Sequence, residues 1–417
     1  MKVGLLVIGS EILDGKTTDT NTRFLAEFLK RNHSELHTTA TVKDDEPAIH
    51  RGLHALFEVC DVVVTSGGLG PTKDDITKHT LASYFGRMVS FSEDAFKVAT
   101  DNYERKGRSF AGKEHGYCYL PLGFEALANS AGMAPGLFVH DNGKYLISGP
   151  GVPREFKAIL EDHFVSRISK NFHHEFLDVV TIRTKRIPEE KIFQEVDPTL
   201  WEKLEVHGDV SSLPKIIGVD ITVNIKAKTQ AELQAKKLSV LKIFDESPVK
   251  PNIWHTGTES IEQIILSMAK KKKKTFGFAE SATGGLCSSR ITDISGSSEF
   301  FVGGVVCYNT SVKTEILNVN PKTINEGSVY STQTAEEMAQ GLREKLKMDI
   351  AVSITGLAGP TGGSEEYPVG SVSIGIATKD SVTAIHYRFF GDREQLKIRF
   401  SQAALMTLLE ELEKTAT

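Results

Sequence analysis

The chain repeatedly runs a short, almost purely apolar segment into a glycine-bearing turn and then into a helical pattern. Lys2–Ile8 ends in Gly9-Ser10-Glu11, Asp61–Thr65 in Ser66-Gly67-Gly68-Leu69-Gly70-Pro71, and Tyr145–Ser148 in Gly149-Pro150-Gly151-Val152-Pro153. Between the first two lies Thr22–Arg31, with Phe24, Leu25, Phe28 and Leu29 on one helical face, and Pro47 sits where a helix start tolerates a missing N–H. A strand with no polar alternation must be covered on both faces, and intervening helices supply the cover. The fold class that follows is α/β: two three-layer α/β/α domains with mainly parallel sheets, joined by a small α+β module.

The first domain is placed at residues 1–172. Residues 173–250 read differently, because Leu177–Arg183 and Asp220–Lys226 alternate and polar helical stretches lie near Pro188–Val196 and Thr229–Phe244. The proline-punctuated stretch Ser247–Asn252 predicts a linker. Residues 256–417 make the second α/β domain. Its strands are expected at Thr275–Ala279, Val302–Tyr308, Asp349–Ile354, Ser371–Ala377 and Ser381–Phe389, closed by a helix over Asp392–Leu412.

Bulk properties exclude several classes. Among 417 residues the formal net charge is −5, so no global basic field points to nucleic acid, and Lys270–Lys274 reads as a solvated helix end. No apolar run reaches the length of a membrane span. The four cysteines form no C-x-x-C pair, which suits free thiols in a reducing cytoplasm and predicts a cytoplasmic location. Cys287 and Cys307 read as small core residues, and His33 and His37 do not share a helix face as a metal pair would.

The last third carries four segments with chemistry in them. They are Ala279-Glu280-Ser281-Ala282-Thr283-Gly284-Gly285, Cys307-Tyr308-Asn309-Thr310-Ser311-Val312-Lys313, Ser353-Ile354-Thr355-Gly356-Leu357-Ala358-Gly359-Pro360-Thr361-Gly362-Gly363, and Tyr367-Pro368-Val369-Gly370. Ser281 falls past a strand end and before a helix, where backbone N–H groups near Gly284 favour a phosphate or a developing oxyanion. A serine needs a base to become a nucleophile, and these segments hold no histidine. Lys313 is the available base, provided burial or a neighbouring cation keeps it neutral, with Tyr308 placed to relay a proton or orient it. The bland reading makes Ser281 a helix N-cap and Lys313 a surface charge.

The first domain has its own constellation. Glu11 follows the first strand, Asn21 opens the next helix, and Lys73, Asp74 and Asp75 follow the Gly67-Gly68-Leu69-Gly70 turn. Glycine turns at strand ends let backbone amides approach phosphate oxygens. Paired aspartates suit a hard divalent cation, and Lys73 and Arg154 can neutralise phosphate. Three such turns predict one shared ligand cleft.

These segments together resemble the CinA (competence/damage-inducible) family over essentially the whole chain. The resemblance implies a C-terminal nicotinamide-nucleotide amidase that converts NMN to nicotinate mononucleotide and ammonia without a metal. It places the catalytic residues at Ser281, Tyr308, Lys313 and Thr355. It places substrate contacts at Thr283, Gly284, Gly285, Gly356, Gly359, Gly362 and Gly363, with an arginine at Arg393 or Arg399. Where the family usually has Lys-Pro-Val-Gly, this chain has Tyr367-Pro368-Val369-Gly370. For the first domain the resemblance implies a molybdopterin-binding-like fold acting as an ADP-ribose pyrophosphatase with a divalent cation (Mg, Mn or Co). Glu11, Asp74 and Asp75 are the metal candidates, and Gly67, Gly68, Gly70, Lys73, Asn21 and Arg154 the substrate-binding ones. The middle module would be of KH type and serve a homodimer, and it carries no Gly-x-x-Gly loop for RNA. The rival readings are a nucleotide- or pterin-binding module without turnover and a molybdopterin-handling transferase.

Overall fold

The computed structural model describes residues 1–72, 74–110, 112–168 and 176–414. The strands are β1 (Lys2–Ile8), β2 (Glu35–Val42), β3 (Val62–Ser66), β4 (Val89–Phe91), β5 (Tyr119–Pro121), β6 (Glu125–Leu127), β7 (Gly136–Asp141) and β8 (Lys144–Gly149). They continue with β9 (Phe176–Thr184), β10 (Asp209–Pro214), β11 (Val219–Ala227), β12 (Ile253–Thr256), β13 (Phe276–Glu280), β14 (Phe301–Val306), β15 (Ile350–Gly356), β16 (Ser371–Ala377) and β17 (Val382–Arg388). The chain divides into two compact units, Met1–Val179 with Asn224–Ser239, and Val180–Val223 with Val240–Thr417.

In the first unit the main sheet has the order β2-β1-β3-β8-β7-β6. The β1/β2, β1/β3 and β3/β8 pairs are parallel, and the outer β7/β8 and β6/β7 pairs are antiparallel. The pleat separates two cores. Val3, Leu5, Val7, Val62 and Val64 pack with Leu25, Phe28 and Phe156 on one face. Leu6, Ile8 and Val63 pack with Ile49, Leu53 and Leu81 on the other. A strand whose successive residues all enter a core on one side or the other reads as a continuous apolar run, which is why Lys2–Ile8 showed no polar alternation.

The second unit repeats the principle with the sheet order β14-β13-β15-β16-β17. The β13/β14 and β13/β15 pairs are parallel, and β15/β16 and β16/β17 are antiparallel. Phe276, Phe278, Val352 and Ile354 face Ile265 and Phe400 of the helices Ile261–Lys272 and Arg393–Lys414. Ala279 and Ala351 face Leu317, Met338 and Leu342 on the opposite side. The α/β class read from the sequence holds in both units.

A third sheet has the order β10-β11-β9-β12. Ser247–Asn252 is not an extended tether. The Ser247 hydroxyl donates to Asp197 (2.7 Å), Lys250–Asn252 form a tight turn, and the chain re-enters this sheet at once as β12, antiparallel to β9. Prolines mark a turn as readily as a linker, and here the buried Asp197–Ser247 contact decides. Among the described residues no helix is long and apolar enough to cross a membrane.

Candidate functional site

In the second unit the order β14-β13-β15 places β13 between its two parallel neighbours, so the chain runs outward from β13 to β14 and then crosses back past β13 to reach β15 on the other side. The crevice beyond the strand ends at such a switch point is where α/β sheets take ligands. Three of the four segments end there. Ser281 follows β13, Cys307 and Tyr308 follow β14, and Thr355 and Gly356 end β15. The Ser281 N–H donates to the Ile354 carbonyl (2.9 Å) and the Cys307 N–H to the Glu280 carbonyl (2.9 Å), so the strand ends are fixed to one another.

Lys313 enters from the first turn of the helix Thr310–Leu317, which is capped by the Asn309 side chain accepting from the Ser311 N–H (3.0 Å). Its side chain is 1 % exposed and Ser281 is 8 % exposed. Lys313 Nζ lies 3.0 Å from Ser281 Oγ, 2.6 Å from the Cys307 carbonyl and 3.4 Å from the Tyr308 carbonyl. None of these partners is a carboxylate. Burial therefore pushes the Lys313 pKa below its ordinary 10.5, against a smaller opposing pull from the Cys307 thiol, which burial itself pushes up to about 11. A neutral amine has two N–H bonds and one lone pair. Two carbonyls can take the N–H groups, which leaves the lone pair for the Ser281 hydroxyl.

Tyr308 takes a different place from the expected one. Only its backbone carbonyl approaches Lys313. Its ring is 62 % exposed, and its hydroxyl accepts from Arg393 Nη2 (2.9 Å) while Arg393 Nη1 donates to the Gly359 carbonyl (2.6 Å). Arg393 thus ties Tyr308 to the glycine loop that holds Gly359, Gly362 and Gly363. Arg399, on the same helix, forms no such bridge among the described residues. Thr355 is fully buried and its hydroxyl donates to the Val329 carbonyl (2.7 Å), so it braces the crevice from behind. Tyr367, in the family's lysine position, packs between Tyr330 (6.0 Å) and His386 (5.8 Å) instead of offering a cation.

The backbone amides near Gly284 are not the open anion site that the sequence predicts. The Gly284 N–H donates to the Ser281 carbonyl (3.1 Å). Those of Gly285, Cys287 and Ser288 all donate to the Glu280 carboxylate (3.1, 3.0 and 2.9 Å). Among the described residues the N–H groups of Ala282 and Thr283 find no acceptor, and the Thr283 hydroxyl is buried without a partner. Sequence reasoning missed Lys397. A Cβ on Gly284 would sit 3.9 Å from its Nζ, and Lys397 has no ion pair among the described residues. Its signal was one helical turn of spacing from Arg393, on a helix already singled out.

In the first unit Glu11, Gly67, Gly68, Gly70, Asp74, Asp75 and Gly151 line one cleft of about 490 Å³, together with Asp44, Tyr117 and Glu155. Asn21 staples it from beneath, its amide donating to Ser66 Oγ (2.7 Å) and to the Gly151 carbonyl (3.0 Å), while its own oxygen is buried without a donor. Gly67 has φ +115°, and a Cβ there would lie 2.0 Å from the Ile8 carbonyl oxygen, so the turn admits only glycine. Asp75 accepts from the Thr72 N–H (2.9 Å) and its hydroxyl. Arg154 is exposed and does not line the cleft, and Lys73 lies outside the described residues. Among the described residues no three His, Cys, Asp or Glu side chains converge as a cation cage, so Glu11, Asp74 and Asp75 share a wall without forming a preassembled metal site.

Comparison with known proteins follows this geometry. Residues 258–412 match the CinA C-terminal domain, and residues 4–170 match the family described as "Probable molybdopterin binding domain". A CinA-like protein of Salinibacter ruber is 34% identical over 410 residues, covering 97% of this chain and 98% of that one. A CinA-like protein of Syntrophus aciditrophicus is 34% identical over 414 residues, covering 98% and 97%. The crystal structure of a CinA protein of unknown function from Thermoplasma acidophilum aligns at 33% identity and TM-score 0.35, over 39% of this chain and 94% of that one. With identity above 30% along nearly its whole length, and with both family domains in order, the chain belongs to the CinA family.

Proposed function

We propose that the second unit hydrolyses the carboxamide of nicotinamide mononucleotide to nicotinate mononucleotide and ammonia. The observation that carries this reading is the buried Lys313 amine 3.0 Å from Ser281 Oγ, with only neutral partners around it. The substrate class comes from the resemblance of the four segments to nicotinamide-nucleotide amidases. Ser281 Oγ attacks the carboxamide carbon while its proton passes to Lys313. The carbonyl oxygen takes the negative charge against the free N–H groups of Ala282 and Thr283. The C–N bond breaks as Lys313 returns the proton to the leaving ammonia, leaving an ester on Ser281. Water, deprotonated by Lys313, then cleaves the ester and restores the serine. Arg393 and Lys397 supply positive charge for the phosphate. Purified protein incubated with NMN should release ammonia and nicotinate mononucleotide, and equal release from Ser281→Ala would sink the assignment.

For the first unit we propose binding and cleavage of ADP-ribose in the cleft lined by Gly67, Gly68 and Gly151. The cleft volume of about 490 Å³ suits a small nucleotide. A divalent cation there would be held by one or two of Asp74, Asp75 and Glu11, with substrate phosphates completing its shell, as magnesium commonly is. Formation of AMP and ribose 5-phosphate, assayed with and without Mg, Mn or Co, tests this. The homodimer remains part of the proposal, and sedimentation tests it.

A further inference from the structure

Glu280 is a buried carboxylate that the chemistry above does not use. It ends β13 immediately before the nucleophile and is 1 % exposed. Its oxygens are saturated. Oε2 accepts from the N–H groups of Gly285 (3.1 Å) and Cys287 (3.0 Å), and Oε1 from the N–H (2.9 Å) and hydroxyl (2.7 Å) of Ser288. A carboxylate offers about four lone-pair directions, so nothing is left over for a substrate or a proton relay.

The turn it spans has few other restraints. Gly284 and Gly285 sit in the left-handed region (φ +64° and +98°), where the chain departs from strand and helix alike. Apart from Glu280, the Ser281–Gly285 stretch is tied by the Ser281 N–H to Ile354, the Gly284 N–H to Ser281, the Ser289 N–H to the Gly285 carbonyl (2.9 Å) and Lys313 to Ser281 Oγ. The carboxylate fastens the last residue of the strand to the first turn of the helix Leu286–Thr292 and fixes the far end of the loop. It also takes up the helix N–H groups that would otherwise draw a substrate anion. The N–H groups of Ala282 and Thr283, beside Ser281, have no acceptor among the described residues.

We propose that Glu280 is the positioning residue of the nucleophile turn. It acts through Ser281 and the two acceptor-free amides of Ala282 and Thr283, holding the hydroxyl over Lys313, and it closes the helix end to phosphate so that the anion goes to Arg393 and Lys397. The proposal deepens the amide-hydrolase reading, but its central claim concerns the reactivity of Ser281 and is testable without the natural substrate.

The test uses the full chain and an activated carbamate probe, which transfers its carbamoyl group to a reactive serine and releases its leaving group, with this acylation of Ser281 read by intact mass and peptide mapping. Glu280→Gln keeps the shape but points an NH2 group at backbone N–H groups. It should acylate about 10- to 100-fold more slowly, the scale of loss expected from a misplaced reacting group. On NMN the same loss should appear in kcat, with KM held within about threefold and the acid limb of the pH profile unmoved, because Lys313 is intact. General loosening of the fold would move KM as well. A folded Glu280→Gln that acylates at the wild-type rate overturns the proposal. Should that variant fail to fold by circular dichroism, Ser288→Ala, which removes one donor, decides. A few-fold slower acylation supports the role and an unchanged rate overturns it. Wild-type acylation without ammonia release would defeat the amidase reading and leave this test standing. A wild type that is never acylated at Ser281 would defeat both.

Discussion

Lys313 Nζ, from the helix that follows β14, and Ser281 Oγ, just past the end of β13, meet at 3.0 Å, and both are buried. In the proposed reaction this pair serves as nucleophile and base without a histidine, since burial lowers the lysine pKa and its hydrogen-bond partners are carbonyls and a hydroxyl.

The pH dependence follows with a definite sign. A protonated Lys313 cannot accept the serine proton, so activity rises as pH passes upward through its pKa. Burial lowers that pKa from 10.5, so the acid limb of kcat should fall below 10.5. A limb at or above that value, measured between pH 6 and 11, would remove Lys313 as the base. The same shift makes this residue a source of instability at lower pH. Between its folded pKa and 10.5 the unfolded chain binds the extra proton, and stability gains as pH rises across that window.

Lys313→Met and Ser281→Ala should each reduce NMN deamidation by about 10³-fold or more, and the double variant should lose little further, since the two act as one unit. Additive losses in the double-variant cycle would show that they work separately.

Tyr308→Phe separates two roles. The phenol accepts from Arg393 and does not reach Lys313, so its removal should change kcat by less than about tenfold, within the range of one lost hydrogen bond. Arg393→Gln removes both the Tyr308 and Gly359 contacts and should cost more, chiefly in KM. A Tyr308→Phe variant as inactive as Ser281→Ala would restore the tyrosine as a proton relay.

Lys397→Ala should raise the KM for NMN about tenfold, the scale of one charge-assisted contact, and leave nicotinamide riboside, which lacks the phosphate, unaffected. Equal effects on both compounds would show that Lys397 supports the helix and not the anion.

Gly67→Ala in the first unit should destabilise it by roughly 2 kcal/mol or more, since it forces a side chain into a left-handed position against a carbonyl. Thermal unfolding measures this, and an unchanged midpoint would mean that the turn relaxes freely.

Much of this arrangement was legible in the residues. Continuous apolar runs announced strands covered on both faces, and the order of motifs along the chain put Ser281, Lys313 and Thr355 at or just beyond the ends of neighbouring strands. What the residues hid were directions. Whether Tyr308 offers its ring or its carbonyl to Lys313 depends on the path of the chain past Cys307. Whether Ser247–Asn252 tethers or turns depends on Asp197, about fifty positions earlier in the sequence. The choice between Arg393 and Arg399 depended on helix phase, which spacing leaves ambiguous at a helix start.

The self-capping of the helix after Ser281 also bears on how such chains are recognised. A Gly-Gly pair opening a helix after a strand is usually taken to advertise a phosphate cradle. Here an acidic residue at the strand end, five positions before Gly285, folds back and occupies the cradle from within. The signature is then a decoy for anion binding and an emblem of a rigid elbow. Motif searches that read the glycines without the preceding residue would sort the two kinds of turn into one class.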